Sequence, residues 1–279
     1  MTRSEVTTAK RVVVKVGSSS ISGDNAPALP RIVDALAAAH GRGAEVILVS
    51  SGAIASALPY FGLESRPKDD LVTEQAAAAV GQTILMDRYR DALRPHDIVG
   101  AQILLTASDF DVESTRVNAQ AALDKLLQLR FLPIVNENDT VATDEIRFGD
   151  NDRLAALVAL LVQADLLVLI SDVDALYDAP PSHAGAKAIH HVKNFAEIES
   201  IALGGAGAAL AAAGAHRQLQ HHFLPGLEGG GGGHLVPAGH VGRTHLVARG
   251  DAGHRVTLSG LDRGAAQDDL GREAQVRVV

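Results

Sequence analysis

The chain has 279 residues, of which 47% are apolar and 21% charged, with a formal net charge of -8 and no cysteine. That length supports a substantial core in one domain, and the acidic balance argues against a general nucleic-acid binder. Without cysteine, disulfides and thiolate metal sites are both excluded.

Chain order begins with "MTRSEVTTAKR", which has no apolar segment ahead of a cleavage site. No window of the sequence is apolar for the length of a bilayer span, so the expectation is a cytoplasmic protein without a membrane partner. From Arg11 to Asp178, short β-branched runs alternate with longer alanine- and leucine-rich segments, the rhythm of strand–helix units. "RVVVKVG" reads as the first buried strand. "ALPRIVDALAAAHGRG" reads as an amphipathic helix closed by glycines, with Ile32, Leu36 and Ala39 at helical spacing. "AEVILVSSGAI" is the second strand, and "TEQAAAAVGQTILMDRYRDAL" a long helix with Thr73 as its expected N-cap and Pro95 marking its end. "IVGAQILL" supplies the third strand. Then follow the helix "STRVNAQAALDKLLQLR", the strand "FLPIVNE", an acid- and asparagine-rich segment, the helix "NDRLAALVALLVQA" and the strand "DLLVLISDVDALYD". Continuously apolar strands alternating with helices predict an α/β fold with a mostly parallel sheet covered on both faces.

The character changes after about Gly204, where glycine, alanine and histidine dominate and five consecutive glycines cannot lie inside a regular element. The expected organisation is therefore a principal domain over 1–204 and a divergent, poorly ordered remainder over 205–279. Within the remainder, "HLVARG" and "HRVTLSG" read as short strands and "AGAALAAAGAH" as a helix. Its histidines, His216, His221, His222, His234, His240, His245 and His254, lack the compact spacing of a zinc site, so no metal site is expected there.

In open α/β sheets ligands bind beyond the carboxyl ends of the strands, so the residues following each strand are the candidates. Strand one delivers Lys15, Gly17 and the serines Ser18 to Ser20, and strand two delivers Ser50, Ser51 and Gly52 ahead of a helix. The fourth delivers Asn136, Glu137, Asn138 and Asp139, the next helix opens on Gly149 to Asp152, and the fifth strand delivers Ser171 and Asp172. Glycine-turn amides and helix N-termini attract anions, and a lysine adds a compact positive charge, a combination suited to phosphate. Neighbouring acids suit an ammonium group or Mg2+. Each feature alone also reads as an ordinary loop or helix cap; their coincidence at one sheet edge is what points to a site.

The runs "VVVKVGSSSI", "VILVSSGAIA", "EQAAAAVGQ", "GAQILLTASD", "NAQAAL", "LPIVNENDTVATDEIRFGDNDRLAALVA" and "LLVLISDVDALYD" occur in order across roughly residues 11–200. Together they resemble the amino acid kinase family, and within it the γ-glutamyl kinase branch. "NENDTVAT" followed by "GDND" is the most specific element. The resemblance implies a three-layer αβα sandwich and ATP-dependent phosphorylation of the γ-carboxylate of L-glutamate, with Mg2+, as the first step toward proline. It further implies proline as feedback inhibitor and assembly into a dimer or tetramer. Carried over by residue, it makes Lys15 the contact to the transferring phosphoryl group and Asp152 the acid that orients the catalytic lysines. Gly17, with Ser18, would give close backbone approach to the nucleotide. Ser51, Asp139 and Asn151 would bind glutamate, and Ser171 with Asp172 would contact the nucleotide.

One family segment is missing. Where a glycine-rich "GTGGM" followed by Thr-Lys is expected to embrace the ATP phosphates, this chain reads "LGGAGAALAAAGAHRQLQ". No lysine follows, and Arg217 is a planar cation that does not replace a flexible ammonium. That departure motivates one alternative to a working γ-glutamyl kinase, a catalytically weak relative serving as a glutamate or proline sensor or partner subunit; a separate alternative is another amino acid kinase acting on a different carboxylate or carbamate.

Overall fold

In the computed structural model, β1 (Arg11–Val16) forms the middle of a parallel sheet, with β2 (Glu45–Ser50) on one side and β5 (Leu166–Ile170) on the other. The structure describes residues 8–67, 69–142, 151–170, 176–179, 183, 185–189 and 246–248. Outward from β2 lie β4 (Leu132–Glu137) and then β3 (Gly100–Leu105), and beyond β5 lies β8 (Leu246–Ala248), giving the order β3-β4-β2-β1-β5-β8. Every neighbouring pair in this sheet is parallel. The expected strands are therefore present and the sheet is parallel as anticipated, with "HLVARG" contributing β8 at one edge. The boundary at residues 204 and 205, the segment "HRVTLSG" and the tail histidines lie outside the described residues.

Alternation along each strand sends side chains to opposite faces, and two cores result. On one face Val12, Val14, Val16, Val46, Leu48 and Ile134 pack against α1 (Ala28–Gly41) and α3 (Leu71–Leu93). On the other, Val13, Ile47, Val49, Val135, Leu167 and Leu169 pack against α5 (Glu113–Gln128) and α6 (Asn151–Leu161). Two short helices, α2 (Ala53–Ala57) and α4 (Ser108–Asp111), complete the connections. This is the predicted αβα sandwich. Because nearly every residue of α6 is buried, its apolar character runs all round the helix rather than along a stripe.

Arg11 and Lys15 lie on the same face of β1 as Val13. Arg11 occupies the end away from the strand mouths, where it donates to Glu45 at 2.6 Å, Asp124 at 2.9 Å and the carbonyl of Val162 at 2.6 Å. It pins β1 to β2 and to the layer of α5 and α6, whereas Lys15 lies toward the carboxyl end of the same strand.

Two details differ from expectation. Helix α3 starts at Leu71 and is capped by Asp70, whose carboxylate accepts from the Thr73 amide at 3.0 Å and the Thr73 hydroxyl at 2.5 Å. Thr73 is thus the third helical residue, a donor to the cap instead of the cap itself; an aspartate holds its charge against the free amides of the first turn. The segment "DLLVLISDVDALYD" is not one strand. Its pairing with β1 ends at Ile170, opposite Val16, where β1 itself stops. Leu176–Tyr177 (β6) instead pairs antiparallel with Ala188–Ile189 (β7) in a separate small sheet.

Helices α2 and α3 touch at Gly81, where a methyl group would overlap the carbonyl oxygen of Ala53. No flexible side chain stands there to move aside, so the backbones must separate. Gly81→Ala is expected to destabilise the fold by about 1–3 kcal/mol through overpacking, despite alanine's better helix propensity. Thermal or urea unfolding measures this, and a more stable variant would contradict the close approach.

Candidate active site

Burial along β1 forces the chemistry of Lys15. Its side chain is 7% exposed and its Nζ lies 2.5 Å from Asp152 Oδ1, on a carboxylate 5% exposed. A buried ammonium is costly without a counter-charge, and the start of α6 supplies one. Gly17 follows in extended conformation, and a Cβ there would lie 3.5 Å from Lys15 Nζ. Its amide donates to the carbonyl of Ile170 at 3.3 Å, which ties the ends of β1 and β5 together. Ser18 to Ser20 then form a single 3-10 turn.

At the neighbouring strand end, Ser51 is half-buried and its amide donates to the carbonyl of Val16 at 3.0 Å. Gly52 adopts φ +106°, a conformation that disfavours any side chain, and turns the chain directly into α2. Asn151, the first residue of α6, donates through Nδ2 to the Ser50 carbonyl at 3.1 Å and to Asn136 Oδ1 at 2.8 Å. Asn136, on the α3 face of β4, donates in turn to Gln82 Oε1 of α3 at 2.8 Å. The Ser50 hydroxyl closes the circuit with Tyr89 Oη at 2.7 Å, again on α3. A ring of hydrogen bonds thus passes from α3 over the ends of β4 and β2 to α6 and back. Tyr89 is wholly buried, and desolvation pushes its hydroxyl up to about 12 against the opposing Ser50 bond, so it stays neutral across the physiological range.

Asp139 sits two residues past the end of β4 in a tight turn. The Asn138 amide donates to the Leu105 carbonyl at 2.8 Å, the Val141 and Ala142 amides donate back to the Asn138 carbonyl, and Gln75 of α3 donates to the Ala142 carbonyl at 3.2 Å. Beside this turn, Arg66 donates to the buried Glu74 at 2.7 Å. That bond, with the negative potentials of Asp139 and Glu137, raises the Arg66 pKa above its ordinary value.

Lys15, Gly17, Ser51, Asp139, Asn151 and Asp152 therefore lie along one carboxyl edge of the sheet, and Lys15 and Asp152 are in direct contact. Ser171, Asp172, Asp150, Arg217 and the glycine-rich segment lie outside the described residues. Residue-level reading passed over Gln82, Tyr89, Arg66 and Glu74. Three of them sit on α3, where the only signal was a polar residue falling on the helix face that otherwise carries Ala78, Leu85 and Leu93. Among the described residues no group of three or more His, Asp or Glu side chains is arranged to hold a metal ion, and no helix is long and apolar enough to cross a membrane.

Comparison with known proteins agrees with this architecture. The glutamate 5-kinase of Leifsonia xyli subsp. xyli is 58% identical over 227 residues, covering 79% of this chain and 84% of the relative. That of Clavibacter sepedonicus is 59% identical over 213 residues, covering 76% and 82% respectively. Among solved structures, carbamate kinase from Giardia lamblia bound to AMP-PNP superposes with a TM-score of 0.54 at 12% identity, covering 77% of this chain and 90% of that one, a likeness of fold. Residues 10–220 match the amino acid kinase family, and the chain belongs to that family.

Proposed function

We propose that this protein transfers the γ-phosphoryl group of ATP to the γ-carboxylate of L-glutamate, forming L-glutamyl 5-phosphate, the first step toward proline. The observation that carries the reading is the buried Lys15–Asp152 pair at the same sheet edge as Asp139, Asn151 and Ser51. A carboxylate oxygen attacks the γ-phosphorus, a new P–O bond forms, and the bond to the β-bridging oxygen breaks with its electron pair leaving on ADP. No proton needs to move. The protein's task is to bring two anions together and hold them in line.

Lys15 supplies the positive charge facing the transferring group, and Asp152 holds that ammonium at a single position. Asp139 pairs with the substrate ammonium, while Ser51 and the amides near it take a carboxylate, so an amino acid is distinguished from a simple diacid. Gly17 admits the nucleotide close to the backbone, and Ser171 with Asp172 complete its contacts. Mg2+ brought with the nucleotide would neutralise phosphate charge, a role that needs only one or two protein carboxylates; among the described residues no group of three or more acids or histidines is arranged to hold it alone. Proline is the expected feedback inhibitor, and a dimer or tetramer the expected assembly.

Measurement of ADP release with glutamate, ATP and Mg2+ tests the reading, and glutamate-dependent turnover is the expected result; its absence from folded protein would overturn it. Lys15→Ala is expected to lower turnover by about 10^2-fold or more, since it removes a charge partner of the transition state. It also strands a buried carboxylate, at a cost of about 3–5 kcal/mol, so a melting curve must accompany the assay. For Asp139→Ala the expected change is a rise of about tenfold or more in KM for glutamate with KM for ATP little altered. Equal effects on both constants would remove Asp139 from its ammonium role.

A further inference from the structure

The ring of hydrogen bonds over the strand ends has a direction, and one backbone group sets it. The Glu137 amide donates to Asn136 Oδ1 at 2.9 Å, and a backbone N–H has no alternative role. Asn136 therefore presents Oδ1 on that side and Nδ2 on the other, toward Gln82. Facing a donor, Gln82 must turn Oε1 toward Asn136. Asn151 faces two acceptors, Asn136 Oδ1 and the Ser50 carbonyl, so the atom it turns inward must be Nδ2, which spends both hydrogens there. Its own Oδ1 is then the atom left over, an acceptor at the first position of α6. Ordinary amide ambiguity is removed at all three side chains by the pattern of partners.

We propose that Gln82 is a positioning residue which, through Asn136, holds Asn151 with its oxygen outward, so that the site offers an acceptor to the ammonium group of an amino-acid substrate. The inference rests on the functional reading above and deepens it. Gln82 lies on α3, on the opposite face of the sheet from α6, and is buried. Its Oε1 is the acceptor that satisfies Asn136 Nδ2; its Nε2 has no hydrogen-bond partner among the described residues. The bond to Asn136 is thus the polar anchor the structure shows for this side chain. Without Gln82, Asn136 Nδ2 is left buried and unsatisfied. The Glu137 amide forbids the amide flip that would relieve it, so Asn136 must shift and Asn151 loses its fixed orientation. An Asn151 turned by 180° would present two donors to the substrate, repelling an ammonium.

Two variants separate the atoms. Gln82→Met keeps the length and loses the acceptor, whereas Gln82→Glu keeps an acceptor oxygen and loses the donor. Steady-state kinetics are measured with glutamate and with glutarate, which lacks the ammonium group, alongside KM for ATP. Gln82→Met is expected to raise KM for glutamate about tenfold, the cost of one unsatisfied buried amide, with kcat, KM for ATP and KM for glutarate within about twofold of the parent. Gln82→Glu is expected to restore most of the preference for glutamate over glutarate. The proposal is overturned if Gln82→Met affects glutamate and glutarate alike, or if Gln82→Glu is as impaired as Gln82→Met. A second readout does not depend on turnover: the side-chain 15N–1H2 resonances of Asn151, slow to exchange in the parent and fast in Gln82→Met. Unchanged protection in that variant overturns the positioning role. Parent protein without glutamate-dependent phosphorylation would instead defeat the functional reading, while the resonance experiment still decides the network.

Discussion

A lysine ammonium placed inside a protein must find a counter-charge nearby, and the contact of Lys15 with Asp152 is where this fold meets that demand. Lys15 is one of the odd-numbered residues of β1, which face the layer of α5 and α6. Because β1 is hydrogen-bonded to strands on both sides, it cannot rotate or slide to release the lysine toward solvent. The helix that returns to that face must therefore begin with an acid at the strand mouth, and α6 begins with Asn151 and Asp152. In the proposed reaction the Lys15–Asp152 pairing keeps a cation fixed in line with the transferring group, so that no reorganisation accompanies phosphoryl transfer.

The second layer of control comes from the opposite side of the sheet. Helix α3 reaches over the strand ends with Gln82 and Tyr89, and nearer its start with Gln75 and Glu74. These are four polar side chains on one helix, each serving a different loop or strand end at the mouth. The bare backbone of Gly81 lets α2 settle against α3, which brings the Ser51–Gly52 turn beneath the same helix. One rigid element thereby sets the relative positions of the Asp139 turn, the asparagine pair and the second strand's turn. A site supported on a helix and on strand ends is held more firmly than one built from loops alone.

Much of the architecture was legible in residue patterns. Unbroken β-branched runs marked buried parallel strands, and the strand-end rule gathered Lys15, Ser51, Asp139, Asn151 and Asp152 before any geometry was known. Legibility failed where two residues compete for one local role, or where a partner is distant in sequence. Thr73 and Asp70 are both good caps, and only the position of the first turn distinguishes them. The apolar run after Asp165 reads as one long strand because pattern alone does not reveal that its partner β1 stops at Val16. Glu74, Gln82 and Tyr89 look like ordinary polar positions on an alanine-rich helix. Their importance comes from Arg66, Asn136 and Ser50, which approach them from other elements.

Residue order alone was enough for the class of fold, the family and the sheet edge at which the described candidate residues gather, because periodicity and strand-end chemistry are local properties. Which atoms of Gln82, Asn136 and Asn151 bond to one another, how closely Asp152 meets the buried lysine and which helix face is polar for a reason emerged only once the chain was packed. Hydrogen bonds and ion pairs act over about 3 Å. The Gln82–Asn136–Asn151 chain joins residues 54 and 15 positions apart, and no sequence pattern of short range encodes such distances.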